Sequence, residues 1–173
     1  MKVRRLLVPV DFSEASEAAL VYASDLAKIF GARIVLLHVV EPLPSPVPVE
    51  IYGGGAADFT RLYTLQQEAA RREMARLEEI PRRRRIAVES ALRSGAPAAT
   101  IVEAAGSLGA DMIVMATHGR TGLSHLLLGS VTERVVRTAH CPVLTVRVGD
   151  TVPKRRRRTS AHPARRLSGR RKR

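Results

Sequence analysis

Residues 112–133 read MIVMATHGRTGLSHLLLGSVTE, and the succession of residue types in this stretch decides the fold. It opens with five consecutive apolar residues, Met112, Ile113, Val114, Met115 and Ala116. A run without polar/apolar alternation is how a strand covered on both faces of a parallel sheet reads. His118, Gly119, Arg120, Thr121 and Gly122 then break the run. The two glycines allow positive φ angles and let backbone N–H groups come close to a ligand. A second turn is expected at Gly129 and Ser130, followed by Val131, Val135 and Ala139 at helical spacing behind a Ser130-x-x-Glu133 capping pattern. The order is strand, glycine loop, helix N-terminus. It gathers unpaired N–H donors and the positive end of a helix dipole beyond the carboxyl end of a buried strand, which suits a phosphate.

Outward from this stretch the same alternation recurs. Residues 3–10 form an apolar segment that ends in Pro9, Val10 and Asp11, with Ser13 as a helix start. Ala19, Leu20, Ala23, Leu26, Ala27 and Phe30 follow the 3.6-residue period until Gly31 stops the helix. Residues 34–40 are a second continuous apolar strand, interrupted in type by His38 alone. Residues 41–55, with Pro42, Pro44, Pro46, Pro48 and three glycines, are expected to be an extended surface loop. Tyr52, Phe59 and Tyr63 at its end are expected to seat it on the body. An amphipathic helix over 57–80 is expected to stop at Pro81. Ile86, Val88, Ser90 and Leu92 alternate as a strand with one wet face, a short helix spans 97–108, and residues 142–148 alternate again.

Continuous strands belong inside a sheet and alternating ones at its edges. The chain is therefore expected to be an α/β protein with one doubly wound, five-stranded parallel sheet of order 3-2-1-4-5 and helices on both faces. Strands 1 and 4 are then neighbours where the winding reverses, and a ligand is expected in the crevice at their carboxyl ends.

The 173 residues, 45% of them hydrophobic, suffice for one domain with a substantial core. Cys141 is the only cysteine and no Cys/His grouping has zinc spacing, so a reducing cytoplasmic setting and no metal site are expected. The apolar run near the N-terminus ends at Asp11, too short for a signal peptide or a membrane span. The net charge of +13 is unevenly placed: residues 151–173 hold 11 Lys/Arg and no acid, leaving 18 basic against 16 acidic residues elsewhere. High pI thus describes an appendage and not the fold.

At the expected crevice, Asp11 either accepts from ribose hydroxyls or caps the following helix. Ser130 and Thr132 either offer hydroxyl and N–H groups to phosphate, or Ser130 caps its helix through Glu133. His118 either meets phosphate or is polar surface, and His38 is expected to be a hydrogen-bonded core residue. No G-x-x-x-x-G-K-[ST] run, no G-x-G-x-x-G after a strand and no carboxylate–histidine acid/base set occurs, so catalytic residues are not assigned.

Val8-Pro9-Val10-Asp11-Phe12-Ser13, Leu36-Leu37-His38-Val39, Thr117-His118-Gly119-Arg120-Thr121-Gly122 with Gly129-Ser130-Val131, and His140-Cys141-Pro142-Val143 resemble the universal stress protein family over residues 1–149. Its nucleotide-binding members carry G-x-x-G, nine residues, then G-[ST]; this chain has Ala116-Thr117-His118-Gly119, nine residues, then Gly129-Ser130, with Ala116 in place of the first glycine. The resemblance implies a stress-response module that binds ATP, with or without Mg2+. Val39 would meet adenine through its backbone, and Pro9, Val10 and Asp11 the adenosine. Met115, Ala116, His118 and Gly119 would lie beneath ribose and phosphates, and Gly129, Ser130, Val131 and Thr132 would hold the phosphates. It also implies a homodimer through the edge strand 142–148. The alternatives are a slow ATPase or phosphotransferase, and a non-nucleotide stress protein tethered to nucleic acid.

Residues 150–173 lie outside the resemblance and are expected to be a disordered basic tail, poor in large apolar residues and self-repelling. The tail either attaches to nucleic acid or an anionic surface, or is a solvated extension without interleaved aromatics to stack on bases. Attachment requires the full-length chain to bind DNA or RNA more tightly, and with a steeper salt dependence, than a chain ending at Gly149. Equal affinities across a salt titration would remove the tail from that role.

Overall fold

A computed structural model describes the backbone of residues 2–42, 55–117 and 129–147, and the side chains of these except 55–59. The elements are β1 (Arg5–Pro9), α1 (Glu14–Phe30), β2 (Arg33–Val40), α2 (Gly55–Arg83), β3 (Val88–Ser94), α3 (Pro97–Ser107), β4 (Met112–Ala116), α4 (Ser130–Thr138) and β5 (Val143–Val146). The strands form one parallel sheet in the order β3-β2-β1-β4-β5. This is the doubly wound arrangement expected from the strand types.

The continuous apolar runs have a direct physical origin. Successive residues of a strand face opposite sides of the sheet. Leu6, Val8, Ile34 and Leu36 enter a core with Leu20, Ala23 and Ala27 of α1 and Met74 and Leu77 of α2. Leu7, Val35 and Leu37 enter a second core with Ala98, Ile101, Ala104 and Ala105 of α3 and Val135 of α4. Helices thus cover both faces, and central strands have no wet side on which to place polar residues.

The helix ends follow local chemistry. Ser13 is the N-cap of α1 and its hydroxyl accepts from the Ser16 N–H, while Gly31 closes the helix at φ 64°. Two expectations for α2 are corrected. The helix begins at Gly55, inside the expected loop, and it runs through Pro81 to Arg83. Pro81 forfeits one N–H but its fixed φ suits a helix, and the end is closed two residues later. Arg85 adopts φ 60°, the Ile86 N–H donates to the Pro81 carbonyl at 3.0 Å, and the Arg85 N–H donates to the Arg82 carbonyl at 2.9 Å. This is a Schellman closure with arginine where glycine is usual. Burial of Leu77, Pro81 and Ile86 beneath it offsets the left-handed conformation.

The edge strands are less regular than their sequences suggest. Exposed Ser90 of β3 hydrogen-bonds Glu78, and all four residues of β5 are half-buried, with no buried/exposed alternation. The expected loop over 43–54, including Tyr52, and the tail lie outside the described residues, as does the side chain of Phe59. Tyr63 hydrogen-bonds the Ser94 hydroxyl at the end of β3, which lowers the Tyr63 pKa. No helix of the described residues is long and apolar enough to cross a membrane.

Leu36 is fully buried at the centre of β2. Leu36→Ala is expected to reduce stability by about 2–5 kcal/mol, read from urea unfolding midpoints at unchanged m-value.

Candidate functional site

The ends of the central strands separate for identifiable reasons. Odd-numbered residues of β1 turn their peptide groups toward β4, as the Arg5 carbonyl does in accepting from the Asp111 N–H at 2.9 Å. Pro9 is the next odd residue after Leu7 and has no N–H to offer. The β1–β4 pairing accordingly ends at Leu7–Ile113. On the other side the last rung between β1 and β2 is the Val10 N–H to the Leu37 carbonyl, 2.8 Å. A cavity of about 420 Å³ opens where the strands part. Pro9, Val10, Asp11, Val39, Met115, Ala116, Gly129, Ser130, Val131 and Thr132 all line it. The structure therefore brings ten of the twelve expected site residues to one place; His118 and Gly119 lie outside the described residues.

Asp11 is not the helix cap. Ser13 has that position, and Asp11 Oδ1 accepts from the Ser13 N–H at 3.1 Å and from the Ser13 hydroxyl. The carboxylate braces the residue that caps α1, because Asp11 lies two residues before it, at the reach of an Asx turn. Between them Phe12 adopts φ 65°, an uncommon conformation for a non-glycine residue.

The opposite wall is the start of α4, pinned to the end of β4. Thr132 Oγ1 donates to the Ala116 carbonyl at 2.9 Å within the protein interior, and the Gly129 N–H donates to the Thr117 carbonyl at 2.8 Å. The Ser130–Glu133 capping box is corrected: the N-cap is Gly129, with no side-chain cap, and Ser130 is the first helical residue. The first intrahelical bond runs from the Glu133 N–H to the Gly129 carbonyl at 2.9 Å, so the Ser130, Val131 and Thr132 N–H groups have no acceptor within the helix. With serine moved from cap to first turn, its exposed hydroxyl stands beside these donors. Together with the helix dipole they can bind an anion without a lysine.

His38 is hydrogen-bonded as expected, through Nδ1 to the Val10 carbonyl at 2.7 Å, but it is half-buried and lines the crevice instead of lying in the core. Gln66 of α2, Glu41, Ser16, and Pro97 and Ile101 of α3 also line it. They were missed because their proximity arises from packing across the sheet and has no local sequence signal. Burial raises the pKa of the Cys141 thiol, which lies away from the crevice at the start of β5 and is no activated nucleophile. A wider but shallow hollow between α3 and α4, lined by Val102, Glu103, Arg134 and His140, lacks converging first-turn donors.

The crevice sits on a chain with extensive relatives. The model of the universal stress protein family matches residues 2–147. The chain is 34% identical over 145 residues to universal stress protein MJ0531 of Methanocaldococcus jannaschii, covering 83% of this chain and 82% of that protein. The structure of hypothetical protein MJ0577 from the same organism superimposes with a TM-score of 0.76 at 28% identity, covering 87% of this chain and 100% of the other. A universal stress protein from Archaeoglobus fulgidus, solved in complex with dAMP, has the same fold at 22% identity and a TM-score of 0.60, covering 84% and 98%.

Thr132→Val removes the hydroxyl that ties α4 to Ala116 while nearly preserving shape. A loss of about 1–3 kcal/mol is expected from the buried carbonyl left without its donor, measurable as a fall in Tm.

Proposed function

The chain belongs to the universal stress protein family, and from that premise we propose that it is a stress-response module that binds an adenine nucleotide, ATP in the first instance, at the carboxyl ends of β1 and β4. Nucleotide occupancy would alter its conformation or its choice of partner. The observation that carries this reading is the α4 N-terminus, held against β4 by the Thr132–Ala116 and Gly129–Thr117 bonds and presenting three first-turn N–H groups beside the crevice. Phosphates belong at that wall, with Gly129, Ser130, Val131 and Thr132. Asp11, with Pro9 and Val10, takes the adenosine, and the Val39 backbone meets the base. Met115 and Ala116 form the floor, with His118 and Gly119 beyond the described residues. A relative of this fold solved with dAMP supports adenine as the base.

The residues present fit such a guest by their donor set: backbone N–H groups for anionic oxygens and a carboxylate for hydroxyls. Mg2+ would accompany the phosphates as a companion ion. Hydrolysis or phosphoryl transfer is the weaker reading. Among the described lining residues there is no lysine or arginine to take up charge developing on a transferred phosphoryl group. β5, which is the outermost strand on its side of the sheet among the described residues and has four half-buried residues, is the surface through which a homodimer would form. The basic tail is the part that would engage a nucleic acid or anionic surface.

Gly129 has φ −57° and ψ 144°, a backbone any L-residue adopts, so substitution there tests space and not strain. Gly129→Val is expected to abolish retention of nucleotide, assayed by mass spectrometry of what co-purifies with the native protein and by calorimetric titration with ATP. Wild-type occupancy in this variant would count heavily against the site.

A further inference from the structure

The ladder between β1 and β2 stops one rung early. Odd-numbered residues of β2 direct their peptide groups to β1: the Arg33 N–H donates to the Arg4 carbonyl at 2.9 Å, and the Leu37 carbonyl accepts from the Val10 N–H at 2.8 Å. Even-numbered residues serve β3, as the Ile34 N–H to the Ala87 carbonyl and the Gly95 N–H to the Val40 carbonyl do. In a parallel pair a residue donates and accepts to partners two apart on its neighbour. The next rung would therefore run from the Val39 N–H to the Val10 carbonyl. Among the described residues that bond is not made. The Val10 carbonyl instead accepts from His38 Nδ1 at 2.7 Å. A carbonyl only accepts, so Nδ1 carries the proton. The Phe12 ring lies 4.1 Å from the imidazole centroid at an interplanar angle of 32° and holds the ring over the strand end.

We propose that His38 is a positioning residue which, by donating from Nδ1 to the Val10 carbonyl, takes the acceptor that sheet register assigns to the Val39 N–H and so keeps that N–H open to the crevice. Val10 leads directly into Asp11, so the same bond fixes where the β1–α1 turn leaves the sheet. One side chain thus sets the two walls that a nucleoside must meet together, the strand-end donor of Val39 and the carboxylate of Asp11. The clause about a nucleoside rests on the function proposed above; the clause about the missing rung does not.

The test separates the two. Amide hydrogen exchange at Val39 is measured on the full-length, nucleotide-free protein. His38→Leu is expected to slow exchange at Val39 about tenfold or more as the rung closes, and to weaken ATP binding about tenfold. The amide nitrogen of His38→Asn stands where Nδ1 does, so that variant is expected to stay within about twofold of wild type. His38→Gln, whose nitrogen stands nearer the Nε2 position, is expected to behave as His38→Leu. Imidazole 15N shifts of the wild type should show the Nδ1–H tautomer in the neutral ring. Unchanged Val39 exchange in both His38→Leu and His38→Gln, a His38→Asn variant no better than His38→Gln, or an Nε2–H tautomer would overturn the assignment. Should the wild type bind no adenine nucleotide, the function proposed above fails, while Val39 exchange and the tautomer still decide the role of His38.

Discussion

β1 is paired on both sides at its start, loses β4 after Leu7 and loses β2 after the Val10 N–H, and the crevice follows from that. Toward β4, Pro9 withholds the N–H that would extend the ladder, and pairing ends at Leu7–Ile113. Toward β2, the Val10 carbonyl is engaged by His38. A strand released from both neighbours in the middle of a sheet leaves a gap that no adjacent strand fills. Because the winding reverses at this strand, the helices following β1 and β4 lie on opposite faces and neither covers the gap.

The gap persists because its walls are rigid. β1 and β2 send alternate side chains into two separate cores, so both faces of the sheet resist collapse. The carboxylate of Asp11 holds the serine that caps α1, and Thr132 holds α4 to the end of β4. Of the two non-glycine residues with positive φ among the described residues, Phe12 at φ 65° borders the opening. Such conformations survive only where surrounding contacts over-determine them, and here the Asx turn on one side and the His38 ring on the other do so.

The electrostatics of the crevice are set by backbone groups, with no lysine or arginine among its described lining residues. The positive end of α4 supplies attraction through backbone donors that need no reorganisation. Exposed ion pairs on the helices, such as Arg72–Glu68 and Arg137–Glu133, contribute little to stability and leave the crevice untouched. The strong surplus of positive charge lies beyond residue 150 and leaves the rest of the chain nearly neutral.

Much of this architecture is legible in the residues themselves. Continuous runs at Val8, Leu36 and Val114 put three strands inside, alternating runs put two outside, and Gly31 marks a helix end by its preference for positive φ. Strand order then places Asp11 and Gly129 together, since parallel strands end on the same side. Pro81 and Ser130 depart from the sequence pattern because a helix terminus depends on which peptide groups find partners: the Schellman bonds close α2 beyond its proline, and Gly129 takes the N-cap from serine. What the sequence alone determined is therefore the fold class and the strand order, consequences of which side chains must avoid water, and through that order the crevice beside Asp11 and Gly129, whereas Val39 and Val131 entered through the family resemblance. The tertiary structure decided the contributions of Gln66 and Pro97, the duty of Asp11 within its turn, and the diversion of the Val10 carbonyl to His38. These depend on directed hydrogen bonds and helix placement across the sheet, whose geometry is set only when separated parts of the chain meet.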